Sequence, residues 1–189
     1  MPTAPTVLII PGLRDHVEAH WQSLLAASLP EARTVPPLGR EDLDCARKVQ
    51  AIESAVASIA GPVLIVAHSG GCIMVALWAR ASAQVGRVHA ALLATPPDFE
   101  RPMPEGYPTL AALEEGGWMP VPRTRLPFPS LVAISDNDPL GEPSRVQALA
   151  EDWGSQILRL GSVGHLNPAS GYGPWPQAQD LIEQLITLN

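Results

Sequence analysis

Residues 63–75 read VLIVAHSGGCIMV: an apolar run, a histidine, a Ser-Gly-Gly corner and a second apolar run. The first half, Val63 to Ala67, follows Gly61-Pro62 and is short and largely β-branched, as in a strand covered on both faces. The second, from Gly70 to Ala83, has the composition of a helix. A strand that turns through a serine into a helix makes a steric demand. The residues two before and two after the serine must be small, because the serine itself adopts a strained backbone conformation. Ala67 and Gly71 satisfy this. Glycine is usual at the first of these positions, so Ala67 departs from the G-x-S-x-G spelling of a nucleophile elbow while keeping its steric logic. A Ser-Gly-Gly turn also serves as a plain helix cap, so partners elsewhere in the chain decide whether Ser69 does chemistry.

Outward from this corner, strands and helices alternate. Upstream, Thr6 to Ile10 is a buried-strand run ended by Pro11-Gly12. Helical spacing follows from His16 to Leu29, a short strand is expected over Ala32 to Pro36, and a second helix over Asp42 to Ile59. Downstream, strands are expected over Val88–Ala94, Ser130–Ser135 and Gln156–Leu160, with helices over Pro143–Trp153 and Pro176–Leu188. Between Thr95 and Pro129 the periodicity breaks into a stretch rich in Pro, Gly and charge with one short helix near Thr109 to Glu115, the pattern of a lid or binding loop. The alternation predicts an α/β fold: a doubly wound, mostly parallel sheet of about five to six strands with helices on both faces and a minimal cap over about 95–129. Ligands of such sheets bind beyond the carboxyl ends of the strands.

Composition narrows the function classes. The 189 residues fit one domain, and 46% apolar content supplies its core. A net charge of −7 with twelve dispersed Lys and Arg opposes a nucleic-acid footprint. No apolar stretch is long enough to span a bilayer, and MPTAPTVLII reads as a first core strand rather than an export signal. Cys45 and Cys72 are not spaced as a metal or redox motif, and Cys72 sits in an apolar run, so a reducing cytoplasm is expected. No His/Cys/Asp cluster suggests a metal, no cofactor motif is present, and nothing points to a protein partner.

A serine hydroxyl needs a base within hydrogen-bond reach, held in one tautomer by a carboxylate. In α/β-hydrolases the chain order is Ser, then Asp or Glu, then His, each in a turn after a strand. His165, in VGHLN after the strand QILRL, fits the base. Gly164 before it and Asn167, Ser170, Gly171 and Gly173 after it suggest a tightly held loop. Asp138 and Asp136, in SDNDP after the strand SLVAIS, both fit the acid, and either also suits an Asx-turn. His89 reads as a strand residue, His68 lacks the position of a base, and His16 and His20 remain pocket candidates. For an oxyanion, Gly70 N–H comes with the elbow, and Leu13 N–H in the Pro11-Gly12-Leu13 turn is the second candidate donor.

The set IPGL (10–13), HW (20–21), AHSGG (67–71), SDNDP (135–139) and GHLNPASGYGPWP (164–176) resembles the retinoblastoma-binding-protein-nine and YdeN-like serine hydrolases over nearly the whole chain. That resemblance implies a compact α/β-hydrolase with a reduced cap, a triad falling on Ser69, Asp138 and His165, and carboxylesterase-type activity. Apart from it, Trp21 and Trp175 are candidates for the rim of the substrate pocket and Trp118 for an acyl-pocket wall, with His20 nearby, while core or surface packing is the commoner place for each tryptophan. The expected reaction is hydrolysis of a small ester or amide without a cofactor. The alternatives are a non-enzymatic interaction module that keeps the fold, or an aminopeptidase or amidase with a specific substrate.

Overall fold

The computed structural model describes residues 4–14 and 16–188; Met1–Thr3, Asp15 and Asn189 lie outside the described residues. Six strands pair in one all-parallel sheet: β1 (Thr6–Ile10), β2 (Arg33–Thr34), β3 (Val63–His68), β4 (Val88–Ala94), β5 (Ser130–Ile134) and β6 (Gln156–Arg159). Their order across the sheet is β2-β1-β3-β4-β5-β6. From β1 the chain steps outward to β2 and then crosses to the other side of β1 for β3. The winding direction therefore reverses between β1 and β3, and a crevice opens beyond their carboxyl ends.

Strand residues alternate between two cores, as the two-residue period of a strand requires. Leu8, Ile10, Ile65 and Ala67 face one cluster, which they share with α2 (Cys45–Ser58), α3 (Gly70–Ala81) and α5 (Pro143–Asp152). Val7, Ile9, Leu64 and Val66 face the other, with α1 (Trp21–Ser28) and α6 (Gln177–Ile186). All six residues of β3 are buried, because helices cover both faces of the sheet. Among the described residues no helix is long and apolar enough to cross a membrane.

The expected elements are present with shifted bounds. Helical spacing from His16 does not produce a helix there. His20 is in extended conformation, its N–H bonds Val17 O, and its ring Nδ1 accepts from Gln22 N, so the helix starts at Trp21. The expected strand over Ala32 to Pro36 reduces to Arg33–Thr34, at the exposed edge beside prolines that cannot donate to a ladder. The 95–129 segment holds α4 (Leu110–Glu115) and otherwise irregular chain, yet it is anchored deeply: Phe99, Leu113, Trp118, Val121, Leu126 and Phe128 belong to the α3-side core.

Candidate active site

Ser69 stands between β3 and α3 at φ 55°, ψ −131°, outside the regions a residue with a side chain ordinarily occupies. Such a conformation costs about 1–3 kcal/mol and persists only where the surroundings enforce it. Here Ser69 N–H donates to Ala94 O of β4, and Ser69 O accepts from Cys72 N, both at 2.9 Å. A Cβ on Gly71 would lie 2.7 Å from the carbonyl oxygens of both Ile10 and Pro11, so only glycine lets α3 pack on the end of β1. Gly12 also lies close, where a Cβ would sit 3.0 Å from that of Ser69. Ala67 is fully buried and registers between Ile10 and Leu93; its methyl group is accommodated where glycine is usual.

His165 Nε2 lies 2.8 Å from Ser69 Oγ, and His165 Nδ1 lies 2.8 Å and 3.0 Å from the two carboxylate oxygens of Asp138. A carboxylate only accepts, so Nδ1 carries the proton. Nε2 is then bare and accepts a hydrogen bond from the Ser69 hydroxyl. The His165 and Asp138 side chains are 4% and 3% exposed, which keeps water from screening the pair. Asp138 also accepts from Leu140 N at 2.8 Å. Asp136, the other acid candidate, is exposed and paired with Arg159 at 3.2 Å on the surface.

The loops carrying these side chains are tied together by groups that sequence reasoning did not assign. Asn137 Oδ1 accepts from Gly164 N at 2.6 Å and from Ser135 Oγ at 3.1 Å, joining the turn after β5 to the loop after β6. Ser170 Oγ accepts from His165 N at 2.9 Å. Asn167 caps the short 3₁₀ turn 168–170, so the polar run after His165 folds as the tight loop its composition suggests. Gln22 Nε2 donates to Ile10 O and Val66 O, bridging the carboxyl ends of β1 and β3 beneath the site. The signal for Asn137 was its place inside SDNDP. Nothing local marked Gln22, whose partner Val66 is 44 residues distant.

Ser69 and His165 open into a cleft of about 640 Å³. Its walls are mainly apolar, with Leu13, Leu43, Phe99, Met103 and Leu140, and Arg14 lies at its edge with its guanidinium 4.5 Å from the centre of the Tyr107 ring. His20 lines the cleft. Its burial, with His165 nearby, lowers its pKa to about 4, so it is neutral near pH 7. Leu13 also lines the cleft, and its backbone N is 3.5 Å from where a Gly70 Cβ would stand; Gly70 N–H, at the first turn of α3, has no acceptor within the helix.

The tryptophan expectations are corrected. Trp118 is fully buried, packs edge-on against Phe99 and donates Nε1–H to Leu43 O at 2.8 Å: it is core, one layer behind the cleft wall. Trp21 is 1% exposed in the α1/α6 core, and the half-buried Trp175 packs edge-on against it; neither lines the cleft. A large indole gains most from burying its apolar surface, and Trp118 also satisfies its donor on a backbone carbonyl. Both cysteines are buried free thiols. Burial pushes the Cys45 pKa up to about 11 and holds that of Cys72 well above the ordinary thiol value, so neither is a thiolate near neutral pH.

A parallel sheet that reverses at β1/β3, with a strained serine in the crevice, defines an α/β-hydrolase. The chain belongs to the serine hydrolase family, whose model matches residues 7–184. It is similar to a YdeN-like hydrolase from Pectobacterium atrosepticum, with 25% identity, a TM-score of 0.81, and coverage of 96% of this chain and 90% of that one. The ydeN gene product of B. subtilis shares the fold at 17% identity and TM-score 0.77, covering 97% of this chain and 100% of that one. So does Est1E of Butyrivibrio proteoclasticus, whose structure holds ferulic acid, at 14% identity and TM-score 0.68, covering 96% and 86% of the two chains. The YdeN-like resemblance read from the sequence is borne out. The chain matches no curated protein.

Proposed function

We propose that this hydrolase cleaves a carboxylic ester, or the corresponding amide, of a small molecule through an acyl-enzyme on Ser69. The observation that carries this reading is the unbroken hydrogen-bond chain from the Asp138 carboxylate through His165 to the Ser69 hydroxyl. His165 Nε2 takes the hydroxyl proton as Oγ bonds the carbonyl carbon, and Asp138 stays ionised to hold the imidazolium that forms. The carbonyl oxygen becomes an oxyanion facing the N–H groups of Gly70 and Leu13. His165 then gives its proton to the leaving oxygen or nitrogen, and the carbonyl re-forms as an ester on Ser69. Water repeats the sequence, with His165 as its base, and releases the acid.

A cleft volume within the usual range for small-molecule sites supports a small substrate, with apolar wall from Leu13, Phe99, Met103 and Leu140 and charge from Arg14, Arg40 and Glu41. The same reading takes the chain as one domain, with 95–129 as a minimal cap that supplies Phe99, Met103 and Tyr107 to the cleft. Two free thiols fit a reducing compartment such as the cytoplasm. The test is turnover of short-acyl p-nitrophenyl esters beside aminoacyl p-nitroanilides, by the wild type and Ser69→Ala. Ester turnover abolished in the variant is expected. Turnover of anilides alone makes the protein an amidase, and turnover that survives in Ser69→Ala refutes the acyl-enzyme.

A further inference from the structure

His68 precedes the serine and has no part in the proton path. It ends β3, is 4% exposed, and its ring lies between those of His20, at 4.6 Å, and His165, at 4.9 Å. Its Nε2 is 2.9 Å from the main-chain oxygen of His165. A carbonyl oxygen only accepts, so His68 Nε2 is a donor. Burial, with His165 and His20 beside it, holds the His68 pKa well below the usual histidine value, so the ring is neutral with its proton on Nε2. The edge-on ring of Trp21, 5.9 Å away, adds a neutral neighbour.

This contact has a particular geometry. His165 is held at its N–H by Ser170 Oγ and, one residue earlier, Gly164 N–H is held by Asn137 Oδ1. These holds come from the turn after β5 and from the loop after β6. The hold on the carbonyl comes from the residue covalently joined to Ser69. It alone among these three ties the base directly to the strand end that carries the hydroxyl.

We propose that His68 is a positioning residue: its Nε2–H clamps the main chain of His165 at a fixed distance from Ser69. The inference rests on the acyl-enzyme reading above, because positioning matters only if His165 takes the Ser69 proton. A misplacement of about 1 Å between reacting groups costs on the order of 10²-fold in rate. His68 also lines the cleft, but its clamp acts on the base, so its loss falls on kcat far more than on KM.

Glutamine and asparagine separate the clamp from mere packing. Counted in bonds from Cβ, a glutamine amide nitrogen falls where His Nε2 is, and an asparagine amide nitrogen falls one bond short. The experiment measures kcat and KM on a p-nitrophenyl ester for wild type, His68→Gln and His68→Asn, with kcat expressed per Ser69 titrated by a fluorophosphonate. The expected result is a loss of about 100-fold in kcat per titrated site for His68→Asn with KM within about twofold, and recovery to within about fivefold of wild type in His68→Gln. Equal kcat per site in the two variants overturns the clamp. Should His68→Asn fail to fold, the imidazole ¹⁵N spectrum of the wild type decides: a neutral ring with its proton on Nε2 upholds the proposal, and a bare Nε2 with the proton on Nδ1 overturns it. A wild type that takes up no fluorophosphonate sinks the acyl-enzyme reading, and this inference with it. Wild type and His68→Asn labelling equally fast sinks the inference alone.

Discussion

The β3–α3 corner and the 95–129 segment meet at the same cleft, but they are held in place by opposite means. The corner is held by backbone against backbone: Gly71 against two carbonyl oxygens, Gly12 against Ser69, and the Ser69 peptide bonded to β4. The segment is mostly irregular and is held by side chains sunk into the core, Trp118 and Phe99 foremost, and by ion pairs of Asp98 and Glu100 with Arg145 on α5. Backbone sterics admit almost one residue type per position, whereas core packing accepts many that conserve volume. The corner therefore specifies chemistry tightly, and the segment is free to vary the shape of the cleft.

Variants in the two regions should dissociate activity from stability. Ser69→Ala is expected to lower kcat/KM on a p-nitrophenyl ester by about 10⁴- to 10⁶-fold while the thermal midpoint stays at or above that of wild type, since the strained serine gives up only its hydroxyl. A midpoint collapse would mean that the corner is structural first. Asp138→Asn should cost about 10⁴-fold, through the wrong His165 tautomer, again with the fold intact. Trp118→Ala should do the reverse. Denaturant unfolding is expected to show a loss of about 3–5 kcal/mol from the cavity left behind, with kcat on the surviving folded fraction within a few-fold of wild type. A selective loss of activity without loss of stability would return Trp118 to the cleft wall.

The third contrast is one of charge. The pKa of His20 is lowered to about 4 in the folded protein from about 6.5 unfolded, so the unfolded chain binds the extra proton between those values. Its contribution to stability is complete above pH 6.5 and is lost as pH falls through 6.5 toward 4, by about 3 kcal/mol in all. His68, shifted the same way, steepens the fall. Unfolding free energy measured from pH 7 to 4 should flatten in His20→Asn, which keeps an acceptor for the cap on Gln22. Smallest of all, Asp136→Asn should leave kcat/KM within about twofold and stability within about 0.5 kcal/mol, because it removes one exposed ion pair.

How much the sequence disclosed follows the same division. VLIVAHSGG showed its strand, its corner and its nucleophile candidate because a close approach of backbones leaves small residues at set positions. The choice of acid candidate was not in the local letters: Asp136 and Asp138 share one turn, and only the fold shows that Asp138 faces His165 while Asp136 faces Arg159. The tryptophans misled because an indole carries no mark of which side of a wall it stands on. Trp118 is buried by contacts with Leu43 and Phe99, distant in sequence. Helical spacing from His16 misled because periodicity extends past the point where His20 caps the helix.

The central claim is that Ser69 is the atom that attacks. Folded protein treated with a fluorophosphonate and analysed by intact mass and peptide mapping should carry one adduct, on Ser69, formed in the wild type and absent in Ser69→Ala. Folded wild type that takes no adduct, or takes it on another residue, would contradict the account.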